Sequence, residues 1–194
     1  LTSFAHRLLE RKLSLLIFVE KVGANDLGVY HTRRGIDVSE YHSRVEDIIE
    51  EARRMGVKIV AIGDGGNEVG FGAIKETVRM FVPLGRDCGC PCRGGIAASS
   101  VADLLITSFI SNFGCYAISY ALSAFRGLEH FYSRDLELNL LRAVVDAGAV
   151  NGATGEARMS VDGVPAEVLA SLIDLLSHLS KEYLRRTRAL EKSS

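Results

Sequence analysis

The residues best suited to chemistry stand together in one short stretch, Gly63-Asp64-Gly65-Gly66-Asn67-Glu68, which follows the apolar run Val57 to Ile62. Glycines at a strand end let backbone N–H groups approach a ligand closely, and a helix starting near Glu68 would add its positive end. Asp64 and Glu68 set two carboxylates beside the amide of Asn67. Hard oxygen donors of this kind hold Mg2+ or Mn2+, or one carboxylate can carry protons as a general acid or base. The plain alternative is a tight turn in which Asp64 only caps the following helix.

A second cluster, Glu20, Lys21, Gly23, Asn25, Asp26, Gly28 and Tyr30, closes the apolar run Leu13 to Val19. An acid ending a buried strand must find a partner or a metal, and parallel strands bring their C-terminal ends together. Glu20 and Asp64 are therefore expected to converge on one crevice, whereas Asn25-Asp26 also reads as a solvated turn. Further along, Ser111-Asn112-Phe113-Gly114 offers an amide for a substrate carboxylate, or simply an N-cap. Asn151-Gly152, Ser160 and Asp162-Gly163 read first as turns.

Cys88, Cys90 and Cys92 are spaced more tightly than the C-x2–4-C pairs of zinc sites. Neither Cys115 nor the scattered His6, His31, His42, His130 and His178 supplies a clear second ligand pair, so the sequence favours reduced, partly buried thiols over the alternative of structural zinc or redox use. No G-x-S-x-G elbow and no P-loop is present.

The elements that must position these groups alternate. A short amphipathic helix is expected over Thr2 to Lys12, then a strand buried on both faces over Leu13 to Glu20. Ser39 is placed to cap a helix that buries Val45, Ile48, Ile49 and Ala52 and ends at Gly56. A strand over Val57 to Ile62, a helix from Val69 to Met80, a strand over Ala102 to Phe109 and a helix from Ser111 to Phe125 follow. Asp135 to Ala147 is helical, and Pro165 opens a long C-terminal helix with a stripe of Val168, Leu172, Leu175, Leu176 and Leu179. This order defines an α/β fold, a three-layer α/β/α arrangement around a mostly parallel sheet.

The 194 residues allow one domain or two small ones, and residues 1–194 are expected to form a single one. Lys plus Arg number 23 and Asp plus Glu 24, a net charge of −1, which gives no electrostatic case for a nucleic-acid or membrane partner. Apolar residues at 47 % and charged residues at 24 % exclude disorder along most of the chain. The 19 Gly against 3 Pro point to tight turns between regular elements. Sparse Cys and the absence of a visible leader favour a reducing compartment, the cytoplasm or, in a eukaryote, the mitochondrial matrix.

Four stretches together resemble the D-glutamate cyclase family: FVEKVGANDLGVYH (Phe18 to His31), IGDGGNEVGFG (Ile62 to Gly72), ADLLITSFISNFGCYA (Ala102 to Ala117), and GAVNGATG with SVDGVP (Gly148 to Pro165). Phe71, Phe113 and Asn151 stand where that family usually has Met, Trp and often Asp. The family domain is longer at its N-terminus, so the resemblance implies that the opening part of the layered sheet precedes this chain. It further implies a lyase that removes water from D-glutamate, giving 5-oxo-D-proline with help from a divalent cation such as Mn2+ or Mg2+. Asp64, Glu68 and Glu20 would hold the metal and handle protons. Gly65, Gly66, Asn67 and Asn112 would bind the small anionic amino-acid substrate, with Asp26 and Tyr30 completing the set. A homo-oligomer is compatible with this reading. The alternatives are a metal-dependent phosphohydrolase of the haloacid dehalogenase type, whose Asp-x-Asp pair is missing from Val19-Glu20-Lys21, and a non-catalytic module that binds a small anion.

Overall fold

The structure, a computed structural model, describes residues 13–130 and 132–191. The helix expected over Thr2 to Lys12 lies outside the described residues. The chain divides into two compact units, Leu1–Ser111 and Asn112–Ser194.

The first unit is built on a parallel sheet of β1 (Leu15–Val19), β2 (Lys58–Gly63) and β3 (Leu104–Thr107), with β2 in the middle. The register sets Ile17 opposite Val60 and Val60 opposite Leu104. Parallel neighbours need long crossovers. The first carries α1 (Glu46–Arg54), and the second carries α2 (Lys75–Phe81) followed by the cysteine loop. This is the expected α/β class with a parallel sheet.

One face of the sheet meets the core. Leu16, Phe18 and Leu105 pack with Ile59, Ala61, Val69 and Ala102 beneath Ile49 and Ala52 of α1 and Val45 just before it. A smaller cluster of Phe71, Val78, Ala97 and Ala98 continues it under α2. The opposite face of β1 carries Leu15, Ile17 and Val19, which are 44 %, 44 % and 46 % exposed. The expected strand buried on both faces is thus corrected. β1 is an edge strand among the described residues, and alternate side chains leave the core with the period of two that a pleated strand imposes.

Helix starts also shift. Ser39 does not cap α1: its Oγ accepts the Tyr30 N–H at 3.0 Å and donates to Asp37 at 2.7 Å, which closes a separate 3₁₀ turn over Ser39–Tyr41. The helix waits for Glu46, whose acid and that of Asp47 suit the positive helix end. Its end is as read, with Arg53 and Arg54 in the last turn and Gly56 at φ +72° sending its N–H back to Arg53.

The second unit contains α3 (Ser111–Phe125, from its second residue), α4 (Arg134–Asp146), a hairpin of β4 (Ser160–Val161) and β5 (Val164–Pro165), and α5 (Ala166–Glu191). Ser133 caps α4 through the Leu136 N–H, and Asp162-Gly163 forms the hairpin turn at φ +47° and +83°. α5 buries Leu169, Ala170, Ile173 and Leu184, whereas Val168, Leu175 and Leu179 are exposed. The apolar stripe read from the sequence is therefore rotated. The helix carries more leucines than one face holds, and the small Ala166 and Ala170 mark the face that is covered.

Candidate functional site

The three strand ends of the first unit deliver Glu20, Asp64 and Ser111 to one edge of the sheet, the edge where parallel α/β sheets place their ligands. After β1 the chain pairs with the turn that follows β2: Gly23 N–H bonds to Asn67 O at 2.9 Å, Val69 N–H to Lys21 O at 2.8 Å, and Val22 bridges Glu68. This pairing sets Glu20 beside the turn. Glu20 sits at φ +53°, a left-handed conformation that non-glycine residues hold only when their surroundings enforce it.

Carboxylate oxygens of Glu20, Asp64 and Glu68 lie within 4.8 Å of one another. The expected convergence of Glu20 and Asp64 is present. Ser111 joins them: its hydroxyl donates to Glu20 Oε1 and its backbone N–H to Asp64 Oδ2 at 3.1 Å. Arg33 reaches Asp64 Oδ1 with Nη1 at 3.4 Å, its side chain 61 % exposed against 5 % for Asp64. Arg33 was missed by sequence reasoning. The Arg33-Arg34 pair in an otherwise irregular segment was the signal available.

Glu68 has a structural task that the sequence did not suggest. The helix after the turn begins only at Lys75, so no helix end lies at Glu68. Instead the Glu68 carboxylate turns back and accepts the N–H groups of Gly65 at 2.9 Å and Gly66 at 2.8 Å, with Asp64 N–H at 3.4 Å. Where the sequence placed a substrate carboxylate, the structure places the protein's own. Burial pushes the Glu68 carboxyl above its ordinary value; the N–H donors oppose this and the Asp64 charge adds to it. Gly66, at φ +90°, has no room for a side chain, since a Cβ there would stand 2.6 Å from Val78.

The remaining predicted residues have their own partners. Asn67 is buried and gives its side-chain N–H to the His31 carbonyl at 2.8 Å. Asp26 is exposed and paired with Lys75 at 2.8 Å. Tyr30 is buried and donates to Glu46, beside a cavity of about 230 Å³ lined also by Ala24, Gly28 and Arg44. Burial, then the Glu46 carboxylate, raises the Tyr30 hydroxyl pKa. Asn112 belongs to the second unit, where its amide lies 3.5 Å from the Tyr116 hydroxyl.

Three clustered carboxylates repel one another unless they share protons or a cation. Their oxygens suit Mg2+ or Mn2+, and the lone pairs left on Glu68 after its N–H bonds leave it able to contribute. The donor set therefore fits the cation implied by the family resemblance.

The cysteines hold the second surprise. His31 turns its Nε2 toward Cys90 at 3.3 Å and Cys92 at 3.4 Å, so a histidine does join the three thiols. The sequence showed no clear second ligand pair, and the structure adds a histidine to the thiols. His31 lies 57 positions before Cys88, and only the folded loop brings them together.

The acids gather at the C-terminal edge of a parallel sheet, the edge at which α/β domains of this class bind their ligands. The chain belongs to the D-glutamate cyclase-like, C-terminal family, whose model matches residues 2–177. It is 25 % identical over 189 residues to the mitochondrial D-glutamate cyclase of Homo sapiens, with 82 % of this chain and 29 % of the human protein covered. The chain thus spans less than a third of that relative's length. Among the described residues no helix is long and apolar enough to cross a membrane.

Proposed function

We propose that this chain is a lyase that closes D-glutamate, or a close analogue, to 5-oxo-D-proline with loss of water. The observation that carries this reading is the meeting of Glu20, Asp64 and Glu68 at the strand ends, inside the stretch that bears the family resemblance. In the reaction the α-amine nitrogen forms a bond to the side-chain carboxyl carbon, one C–O bond of that carboxyl breaks, and the oxygen leaves as water. A divalent cation held by Asp64, Glu68 and Glu20 would polarise the carboxyl group and stabilise the oxyanion that develops on it.

The protein's own residues supply the rest. Asp64 passes the two protons that the ammonium nitrogen must lose, one after the other, to the departing oxygen, which leaves as water; such a transfer suits a carboxylate held in place by Ser111 and Arg33. Arg33, exposed at the rim, pairs with the substrate α-carboxylate. Holding the substrate in a folded pose lowers the barrier by orientation, since nucleophile and electrophile share one molecule. Glu68 keeps the Asp64–Gly66 turn in shape through the N–H groups it accepts.

The test is to incubate the chain with D-glutamate, with and without Mn2+, and to follow loss of free amine and gain of the cyclic product by mass. Cation-dependent product that disappears in folded Asp64→Asn supports the reading. A folded wild-type chain that leaves D-glutamate and its close analogues untouched with Mn2+ and Mg2+ present overturns it.

A further inference from the structure

The geometry points to a second metal site in the first unit, a closed Zn2+ centre built from Cys88, Cys90, Cys92 and His31. All four ligand atoms lie within 4.8 Å of one another. The Sγ atoms are 3.0 Å apart for Cys88 and Cys90 and 3.4 Å apart for the other two pairs, and the His31 Nε2 stands 3.3 and 3.4 Å from Cys90 and Cys92. Tetrahedral bonds of about 2.3 Å to sulfur and about 2.0 Å to nitrogen separate neighbouring ligands by roughly 3.5–3.8 Å. The four donors therefore need to move by only a few tenths of an ångström to stand at such corners.

The surroundings fit thiolates. Backbone N–H groups two residues on face each sulfur in turn: Cys90 toward Cys88, Cys92 toward Cys90, and Gly94 toward Cys92 at 3.4 Å. The Asn25 side-chain N–H adds a further donor 3.7 Å from Cys92. His31 is 1 % exposed, its Nε2 faces sulfurs, and its Nδ1 makes no hydrogen bond. A buried imidazole whose ring meets only weakly hydrogen-bonding thiols is poorly satisfied. A cation between them would take up the three sulfurs and Nε2 at once, with Nδ1 keeping the ring proton on the far side.

Soft sulfur donors select Zn2+ over the hard ions suited to the carboxylates, and a full set of four protein ligands marks a structural rather than a catalytic centre. Its place explains what it would hold. Gly35, at φ +75°, lets the turn after His31 lie against the cysteine loop, where a Cβ would meet the Cys88 carbonyl oxygen at 2.4 Å. The His31 carbonyl receives Asn67 of the acidic turn, and Arg33 two residues on reaches Asp64. The ion would tie the cysteine loop to the strap of residues 21–45, which runs from β1 to α1 beside the carboxylates. This assignment stands independently of the reaction proposed above.

The experiment is metal analysis of the full chain, grown with zinc and purified without chelator or metal-affinity resin, followed by Co2+ titration of the apoprotein. About one Zn2+ per chain is expected. Co2+ should give the intense tetrahedral bands and the sulfur-to-cobalt charge transfer of a thiolate site, erased by added Zn2+. His31→Ala and Cys90→Ser should weaken uptake about tenfold or more, while Cys115→Ser should leave it unchanged. If the variants fail to fold, the wild-type Co2+ spectrum decides alone. A wild-type chain with reduced thiols that binds neither ion, a Co2+ spectrum without sulfur ligation, iron in place of zinc, or a mass showing a disulfide after reducing purification would each overturn the assignment.

Discussion

The side-chain hydroxyl of Ser111 donates to the carboxylate of Glu20, a residue 91 positions earlier in the chain. The same residue's backbone N–H binds Asp64. One buried serine after β3 thus fixes the acids that follow β1 and β2, and the three strand ends act as one unit. An acid held this way keeps its place without a flexible search, which is what orientation in catalysis requires.

Ser111→Ala removes the hydroxyl while the backbone N–H to Asp64 survives. Glu20 is exposed, so water can replace the lost donor and the cost is that of an ordinary hydrogen bond, about 0.5–1.5 kcal/mol. The expected result is a fall of that size in urea-unfolding stability, together with weaker Mn2+ binding measured by calorimetry.

Arg33 gives a contrasting case. Its side chain is largely exposed, so Arg33→Ala should change stability by less than about 0.5 kcal/mol. Under the proposed pairing of Arg33 with the substrate α-carboxylate, its loss should raise KM well beyond any change in kcat. Steady-state kinetics of the cyclisation checks this split, and Arg33→Lys should recover part of the loss.

Much of this arrangement was legible in the sequence because it rests on local pattern. The runs ending at Val19 and Ile62 read as parallel strands, and parallel strands place Glu20 and Asp64 at the same edge whatever lies between. What was not legible depended on contacts distant in sequence. Ser39 looked like a helix cap, yet Tyr30 and Asp37 compete for its hydroxyl. Glu68 looked like an acid at a helix start, yet no helix begins there, and the turn's own N–H groups bind both of its oxygens. The C-x-C-x-C run had no histidine near it in sequence, and the fold carries His31 across to it. Burial of alternate residues in β1 likewise reflects which face the helix covers, and a short apolar run does not encode that.

His42 sets a pH dependence on the strap. Burial lowers its imidazole pKa from the ordinary 6.5, and the neighbouring Lys21 ammonium, with Nζ 3.1 Å from Nδ1, lowers it further. Between that lowered value and 6.5 the unfolded chain binds more protons than the folded one, so stability rises with pH through this window. Acidifying from above 6.5 should therefore lower the urea midpoint until the folded-state pKa is passed. His42→Gln should remove this component, leaving a flatter profile over the range of about pH 5 to 8 in which histidines titrate.

Glu68 and Asp64 separate structure from chemistry most directly. Glu68 accepts N–H groups on both oxygens, so Glu68→Gln turns one acceptor into a donor that faces the Gly65 or Gly66 N–H. That buried mismatch should cost about 1–3 kcal/mol and loosen the turn. Asp64→Asn can still present an oxygen to the Ser111 N–H, so its stability should stay much closer to wild type while cation-dependent turnover is lost. Urea unfolding of the two variants side by side, with Mn2+ affinity measured on each, gives the order. Were Asp64→Asn the more destabilised of the pair, Asp64 rather than Glu68 would be the acid on which the turn's shape depends, and the division of roles between them would have to be reversed.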